Sequence, residues 1–279
     1  AKAAETSDVR IEKKLLEEIL AKTEAVLTIE TPNGKVQFDR EALRQMTAQA
    51  GKAKVSELTL RMKKETTTQY RKIVGKTASL LSIQLFAGET RITNFGEGKI
   101  LVKLAIPQSL AGRELTVLYL GKNGRTERFD GEVTIEKALE ENGKISETKY
   151  YAFRTNHFSL YALAQKEIVD SYQKAQKTIA GVKQTSLKLS AKASAATVKL
   201  SWKKAKGYKV DAYEVYRANA KNGKYVKLYT TKNAKKRSFT NGRNLQAGKT
   251  YYYKVRGVRT VDGKKYYTKW SNISAKKTR

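Results

Sequence analysis

Leu245-Gln246-Ala247-Gly248-Lys249-Thr250-Tyr251-Tyr252-Tyr253-Lys254-Val255-Arg256 is the stretch that decides how this chain is read. A glycine turn leads into a strand expected to run from Thr250 to Val261. Successive side chains of a strand point to opposite faces. If Tyr251, Tyr253 and Val255 face a core, then Tyr252, Lys254 and Arg256 face outward.

The residues around it follow the same period. Leu187-Leu189, Val198 to Trp202, Ala212 to Tyr216, Tyr225 to Tyr229, Arg237 to Thr240 and Tyr266 to Ile273 are short apolar runs broken by Gly, Asn and Lys turns. With Thr250 to Val261 they make seven short strands, the number an Ig-like sandwich requires.

Three segments give this region a resemblance to the fibronectin type III domain, over about residues 184–279. Trp202 ends an alternating strand with Val198 and Leu200, where that family places its core tryptophan. Ala212-Tyr213-Glu214-Val215-Tyr216-Arg217 resembles its third strand. Leu245 to Tyr251 resembles its tyrosine-corner segment, with Ala247 where the family usually has proline. The resemblance implies that the Tyr251 hydroxyl bonds back to the chain. It also implies that the strands holding Tyr216 and Tyr252 share a sheet, so that Tyr216, Tyr252, Lys254 and Arg256 form one outward patch. Such aromatic and cationic neighbours can stack sugars or bases while holding phosphate or carboxylate. The blander reading is that lysine stems cover tyrosines and keep the surface solvated. The run Gly257-Val258-Arg259 to Trp270-Ser271-Asn272 is similar to versions in secreted proteins of Gram-positive gut bacteria.

The first 165 residues mix helix and strand signals. Ile11, Leu15 and Ile19 predict a helix over residues 8–22, capped by Ser7 or Asp8. Val26 to Ile29 is a strand, Pro32-Asn33-Gly34-Lys35 a tight hairpin turn, and Val36 and Phe38 the return strand. Asp39 can cap a second helix carrying Ala42, Leu43 and Met46, which Gly51 can end. Strands follow over Val55 to Met62, Leu80 to Phe86, Thr90 to Ile92, Lys99 to Ile106, Leu115 to Leu120 and Thr126 to Phe129. The last two flank Lys122-Asn123-Gly124. Val133 with Ile135, Ile145 to Phe153 and Phe158 to Leu163 complete the set.

Ile92 to Lys99, Leu104 to Pro107, and Thr155-Asn156-His157-Phe158-Ser159-Leu160-Tyr161-Ala162 resemble an extracellular module that precedes S-layer homology repeats or wall anchors. This second resemblance spans about residues 26–164 and implies export with a structural or adhesive role.

The expected fold class is mainly β. An N-terminal α+β or decorated β-sandwich module with two helices covers 1–165, and a connecting helix, read from Ile168, Tyr172, Ala175 and Ile179 and ended by Gly181, covers 166–183. A fibronectin type III (Ig-like) β-sandwich covers 184–279.

Charge separates these regions. Residues 1–165 hold 27 Lys and Arg against 21 Asp and Glu, a net of 27 − 21 = +6; residues 166–279 hold 30 against 5, a net of 30 − 5 = +25. So asymmetric a field selects anionic partners such as an acidic glycan, a cell-wall polymer, a host extracellular component, nucleic acid or an anionic membrane surface. The chain has no cysteine, which removes disulfides, thiol chemistry and Cys-held zinc. No apolar run reaches the ~18 residues of a membrane helix. No signal peptide is visible, since Glu12, Lys13, Lys14, Glu17 and Glu18 interrupt the first apolar stretch. An exported form would have lost its leader, and Ala1-Lys2-Ala3-Ala4 suits the remnant of a small-residue cleavage site.

Catalytic motifs are missing: no nucleophile elbow, P-loop or dinucleotide fingerprint occurs. His157 is the one histidine, with no carboxylate cluster nearby in sequence to share a metal or orient it as a base. Asp130 and Glu132 flank Gly131 and read as solvated turn charges rather than a glycosidase pair. No cofactor is expected. The leading expectation is a non-enzymatic, exported cell-surface protein whose basic module engages an anionic wall polymer or glycan. Nucleic-acid binding is the runner-up, without an RRM, KH, zinc-finger or helix-turn-helix signature, and the appendage of a larger secreted enzyme is the third reading.

Overall fold

The computed structural model describes residues 6–22, 24–121, 125–194 and 196–278. The Ala1-Lys2-Ala3-Ala4 segment and the Lys122-Asn123-Gly124 turn lie outside the described residues. The chain divides into two compact units, residues 1–172 and 173–279.

The first unit opens with strand β1 (Thr6–Glu12), where a helix was expected, and only Lys13–Leu20 forms helix α1. Val9 and Ile11 alternate with Asp8, Arg10 and Glu12, a period-two pattern. It pairs antiparallel with β4 (Glu57–Glu65) in the register Val9↔Leu60 and Ile11↔Leu58. The four-residue spacing of Ile11 and Leu15 mimics a helix face, but ladder hydrogen bonds along β4 override local preference. Asp8 therefore caps nothing. Its carboxylate accepts two hydrogen bonds from Arg61, at 2.8 and 2.6 Å.

Strands β2 (Leu27–Thr31) and β3 (Gly34–Phe38) form a hairpin in which Thr31 pairs with Gly34. Pro32 and Asn33 are thus the two loop residues, one position before the expected Asn-Gly pair. Gly34 has φ 145°, and a Cβ there would lie 2.5 Å from the Lys103 carbonyl oxygen, so only glycine fits. Helix α2 (Arg40–Ala53) begins where Asp39 accepts a hydrogen bond from Ala42 N at 2.8 Å. It runs through Gly51 and stops at Lys54, which takes the left-handed conformation at φ 55°.

A one-turn helix α3 (Arg71–Val74) precedes β5 (Ser79–Ala87) and β6 (Thr90–Ile92), and neither composition nor period announced it. Then come β7 (Ile100–Ala105), β8 (Leu115–Leu120), β9 (Thr126–Phe129), β10 (Glu132–Leu139), β11 (Ile145–Thr155) and β12 (Leu160–Gln165). They build two sheets. One has the order β1-β4-β5-β12-β8-β9 with β6 on β5; the other is β10-β11-β7-β3-β2.

One core lies between the sheets and α2, joining Leu60, Ile83 and Tyr161 to Phe38, Val102 and Phe153 and to Leu43 and Met46. A second cluster covers the far side of the first sheet, where Leu80, Leu118, Ala162 and Ala164 meet Val74 and Val169. Burial on both faces explains why Tyr161-Ala162-Leu163-Ala164 is continuously apolar instead of alternating.

Helix α4 (Lys166–Gln184) passes through Gly181 and contains the division between units. The second unit holds β13 (Leu189–Ala193), β14 (Val198–Trp202), β15 (Ala212–Ala218), β16 (Val226–Thr230), β17 (Ser238–Asn241), β18 (Thr250–Val261), β19 (Lys264–Tyr267) and β20 (Ser274–Lys277). Sheet β13-β14-β17 and sheet β16-β15-β18-β19, with β20 also on β18, share a core of Leu189, Leu200, Trp202, Tyr213, Val215, Tyr251, Tyr253 and Val255. This is the two-sheet arrangement of a fibronectin type III sandwich. Of the expected strand over Tyr266 to Ile273, only Tyr266 and Tyr267 are strand, as the end of β19; β20 begins after it, and in the segment between Ser271 Oγ accepts from Val255 N at 2.9 Å. The Tyr251 hydroxyl accepts a hydrogen bond from Gln246 N at 2.9 Å, closing the corner.

Candidate functional site

Registry brings the four singled-out residues to one face of the second unit. Tyr216 lies opposite Lys254, Ala218 opposite Tyr252, and Glu214 opposite Arg256 across β15 and β18. Sequence reasoning left out Glu214, because an acidic residue between two buried neighbours offers no signal of its own. It is the most enclosed charge of the unit, 3% exposed.

Glu214 is enclosed by donors. Arg256 Nε and the Tyr216 hydroxyl each donate to Oε2 at 2.9 Å, and Lys227 Nζ reaches Oε1 at 3.3 Å. Arg256 Nη2 also donates to the Tyr216 oxygen at 2.9 Å. Burial alone would raise the carboxyl pKa, but the hydrogen bonds from Arg256, Tyr216 and Lys227 outweigh it and hold Glu214 below the ordinary range.

Around this pair the cations and rings alternate. The Arg256 guanidinium carbon is 3.6 Å from the Tyr267 ring centre, 4.7 Å from Trp270 and 5.2 Å from Tyr216. Lys254 Nζ sits 4.1 Å from both Tyr225 and Trp270. Trp270 meets Tyr216 edge-on at 4.9 Å and remains 39% exposed. Desolvation and then the Arg256 charge lower the Lys254 pKa. Arg256 thus lies against three rings and a carboxylate, and cations occupy Tyr216, Tyr225, Tyr267 and Trp270, leaving Tyr252 as the predicted ring over which no cation lies among the described residues. The arrangement stiffens the sheet.

Unpaired positive charge gathers elsewhere. Among the described residues of this unit, ion pairs form only at Glu214 and Asp211, the latter holding Arg259. Two loops then carry eight cations against one acid, Asp211, which Arg259 takes up: Lys203, Lys204, Lys206 and Lys209 between β14 and β15, and Lys232, Lys235, Lys236 and Arg237 between β16 and β17. All eight are exposed. Both loops are held in shape. Gly207 turns at φ 92°, and Tyr208 lies so close on Gly181 that a Cβ there would be 1.8 Å from the ring. Thr231 Oγ1 accepts from Tyr213 N and donates to Asn233 O, both at 2.9 Å, while Asn233 Oδ1 accepts from Lys235 N.

Between the loops is a depression of about 500 Å³. Its apolar lining comes from Ala205, Tyr208, Val210, Tyr213 and Ala234, and its basic lining from Lys204, Lys209, Lys235 and Arg237. The residues expected to bind, Tyr216, Tyr252, Lys254 and Arg256, lie on the sheet face instead. The lysine runs of these two loops were the signal for this end, and their convergence depends on the pairing of β14 and β16 with their neighbours.

In the first unit, His157 lines a cleft of about 680 Å³ with Tyr70, Arg91, Tyr119, Arg125 and Glu127. The fold supplies a carboxylate that sequence proximity did not: Glu127 of β9 lies 3.8 Å from His157 Nε2. The imidazole packs against Tyr119, Phe129 and Tyr161 at 5.0, 5.9 and 6.1 Å, and the Tyr161 hydroxyl donates to its carbonyl. Desolvation lowers the His157 pKa against the smaller opposing pull of Glu127. Asp130 is turned to solvent and meets Arg128 at 3.2 Å. Among the described residues no three His, Asp or Glu side chains converge as a metal site, and no helix is long and apolar enough to cross a membrane.

Neither family models nor curated proteins give a match. Among solved structures, pectate lyase PelI from Erwinia chrysanthemi in complex with tetragalacturonic acid is similar over 33% of this chain and 27% of its own, at 22% identity and a TM-score of 0.25. The chain thus spans about a quarter of that enzyme's length. A Fn3-like protein from Clostridium thermocellum is similar at 24% identity, over 33% of this chain and 91% of its own, with a TM-score of 0.26. The chicken CNTN1 FN1-FN3 domains are similar over 72% and 78% at 12% identity, with a TM-score of 0.30.

Proposed function

We propose that this chain is a non-catalytic, exported cell-surface binding protein whose second unit holds an anionic polymer, an acidic glycan or wall polymer, at the end built from the loops 203–209 and 232–237. The observation that carries this reading is the gathering of eight exposed cations on two ordered loops whose single carboxylate, Asp211, is already held by Arg259. Solubility alone would be served as well by mixed charge, and like charges so close repel one another. A polyanion relieves that repulsion and releases its own counterions on contact.

The aromatic and cationic face of β15 and β18 serves as a brace in this reading. Its rings are covered by Arg256 and Lys254, which leaves few free faces for the base stacking that single-stranded nucleic acid uses. The first unit acts as carrier, and its resemblance to modules that precede wall anchors fits that role.

Retention of the whole chain on immobilised acidic polysaccharide, set against a neutral polysaccharide and against duplex DNA at about 0.15 M salt, tests the proposal. Preference for the acidic glycan is expected. Equal retention on the neutral polymer, or a stronger hold on DNA, would remove it.

A further inference from the structure

We infer that the depression between the two basic loops is a seat for a single carboxylate-bearing sugar ring, and that it selects acidic glycans over phosphate-linked chains. This deepens the anionic-polymer reading above and rests on it. The depression, at about 500 Å³, falls in the size range of small-ligand sites. Its wall has the two kinds of surface that such a ring presents. Ala205, Val210 and Ala234 with the Tyr208 ring offer an apolar surface to the C–H face of a pyranose, and Lys204, Lys209, Lys235 and Arg237 offer charge to its carboxylate.

A separate observation points to a ligand with hydroxyl groups. Tyr213 lines the depression, its side chain is fully buried, and its hydroxyl has no hydrogen-bond partner among the described residues. A buried hydroxyl left unpaired is unfavourable. Its ring packs edge-on against Trp202 at 5.4 Å, which holds its direction. A sugar hydroxyl entering the floor completes that bond. A glycerol-phosphate unit has no ring to lie on Tyr208 and matches only the rim.

The same features separate this site from the general attraction of the loops. Charge at the rim acts on any polyanion. The Tyr213 hydroxyl and the apolar wall act only on what enters. Loss of the hydroxyl should therefore weaken ring binding more than it weakens polymer retention.

The test titrates the whole chain with glucuronate, glucose and glycerol phosphate, followed by NMR shifts of the Tyr208 and Tyr213 rings. Saturable shifts with glucuronate alone are expected. Tyr213→Phe should weaken glucuronate binding by about fivefold, the loss of one hydrogen bond, while thermal stability holds or rises because an unpaired buried hydroxyl has been removed. Ala234→Trp, which fills the depression, should abolish glucuronate binding while thermal unfolding shows the fold is kept. Equal shifts with glucose or glycerol phosphate, no saturable binding of glucuronate, or undiminished binding by Tyr213→Phe would overturn the assignment. If glucuronate binds but the acidic polymer is not retained, the polymer reading fails and the ring site stands.

Discussion

Glu214 and Arg256 stand opposite each other across β15 and β18, and two nitrogens of Arg256 lie within 2.9 Å of the same Glu214 oxygen. The pair sits on the outward face of its sheet yet is sealed by Tyr216, Tyr267 and Trp270. Geometry of this kind fixes the sheet more than it equips it to bind. Eight of the unit's free cations lie on the two loops, while others such as Lys192, Lys199, Lys264 and Lys265 stand along its strands.

Arg256→Ala should destabilise the second unit by about 3 kcal/mol, because it leaves the Glu214 charge enclosed with weaker partners. Both tryptophans of the chain, Trp202 and Trp270, belong to this unit, so urea unfolding followed by tryptophan fluorescence reads it selectively. Arg256→Lys should fall between, since an ammonium keeps the charge but loses the paired N–H groups and the flat contact with Tyr267. A midpoint unchanged in both variants would show that the enclosure is not stabilising.

Acid should dissolve the same contact. The Glu214 pKa is depressed in the folded state, so its contribution is present above the ordinary Glu value of 4.5 and is lost as pH falls through the lower folded value. The stabilities of wild type and Glu214→Gln, measured by the same fluorescence, should differ at neutral pH and converge as pH falls below 4.5 through the depressed folded value. A constant difference across that range would contradict the depressed pKa.

His157 gives the first unit a separate acid response. Its folded pKa lies below the ordinary 6.5, so protonation favours the unfolded state and stability falls as pH drops from about 6.5 toward the folded value. His157→Gln should flatten this dependence, read by hydrogen exchange of the β12 amides between pH 5 and 7 (a range set by the ordinary histidine value). Steeper loss in the variant would reverse the sign argued here.

Trp270→Ala should release Lys254 and Arg256 from one ring each and cost about 1 kcal/mol. The Lys254 pKa should rise toward its ordinary value as water returns, measurable by heteronuclear NMR of the side-chain nitrogen. No change in that titration would mean the indole does not shield it.

Much of this was legible in the residues. Period-two alternation placed Tyr251, Tyr253 and Val255 inside and brought Tyr216, Tyr252, Lys254 and Arg256 to one face, because a sheet of fixed pleat leaves no other arrangement. Glu214 escaped notice, since two of its three partners, Arg256 and Lys227, arrive from β18 and β16. The role of Trp270 was hidden for the same reason: its ring reaches Lys254 and Arg256 from a segment distant in sequence. The segment 8–22 misled because Ile11 and Leu15 satisfy a helix spacing while Val9 and Ile11 satisfy a strand, and only the presence of β4 decides between them. The basic loops were visible as lysine runs, but nothing local says that 203–209 and 232–237 flank one depression.

The central claim, that the two loops grip a polyanion through charge, is tested most directly by the salt dependence of binding. Affinity for an acidic polysaccharide should fall linearly with rising salt on a logarithmic scale, the slope counting the cations engaged. Replacing Lys203, Lys206, Lys232 and Lys236 with serine should make that slope shallower by about three to four units, one for each contact removed. A slope identical to that of the unaltered chain would place the contact elsewhere and contradict the assignment of these loops.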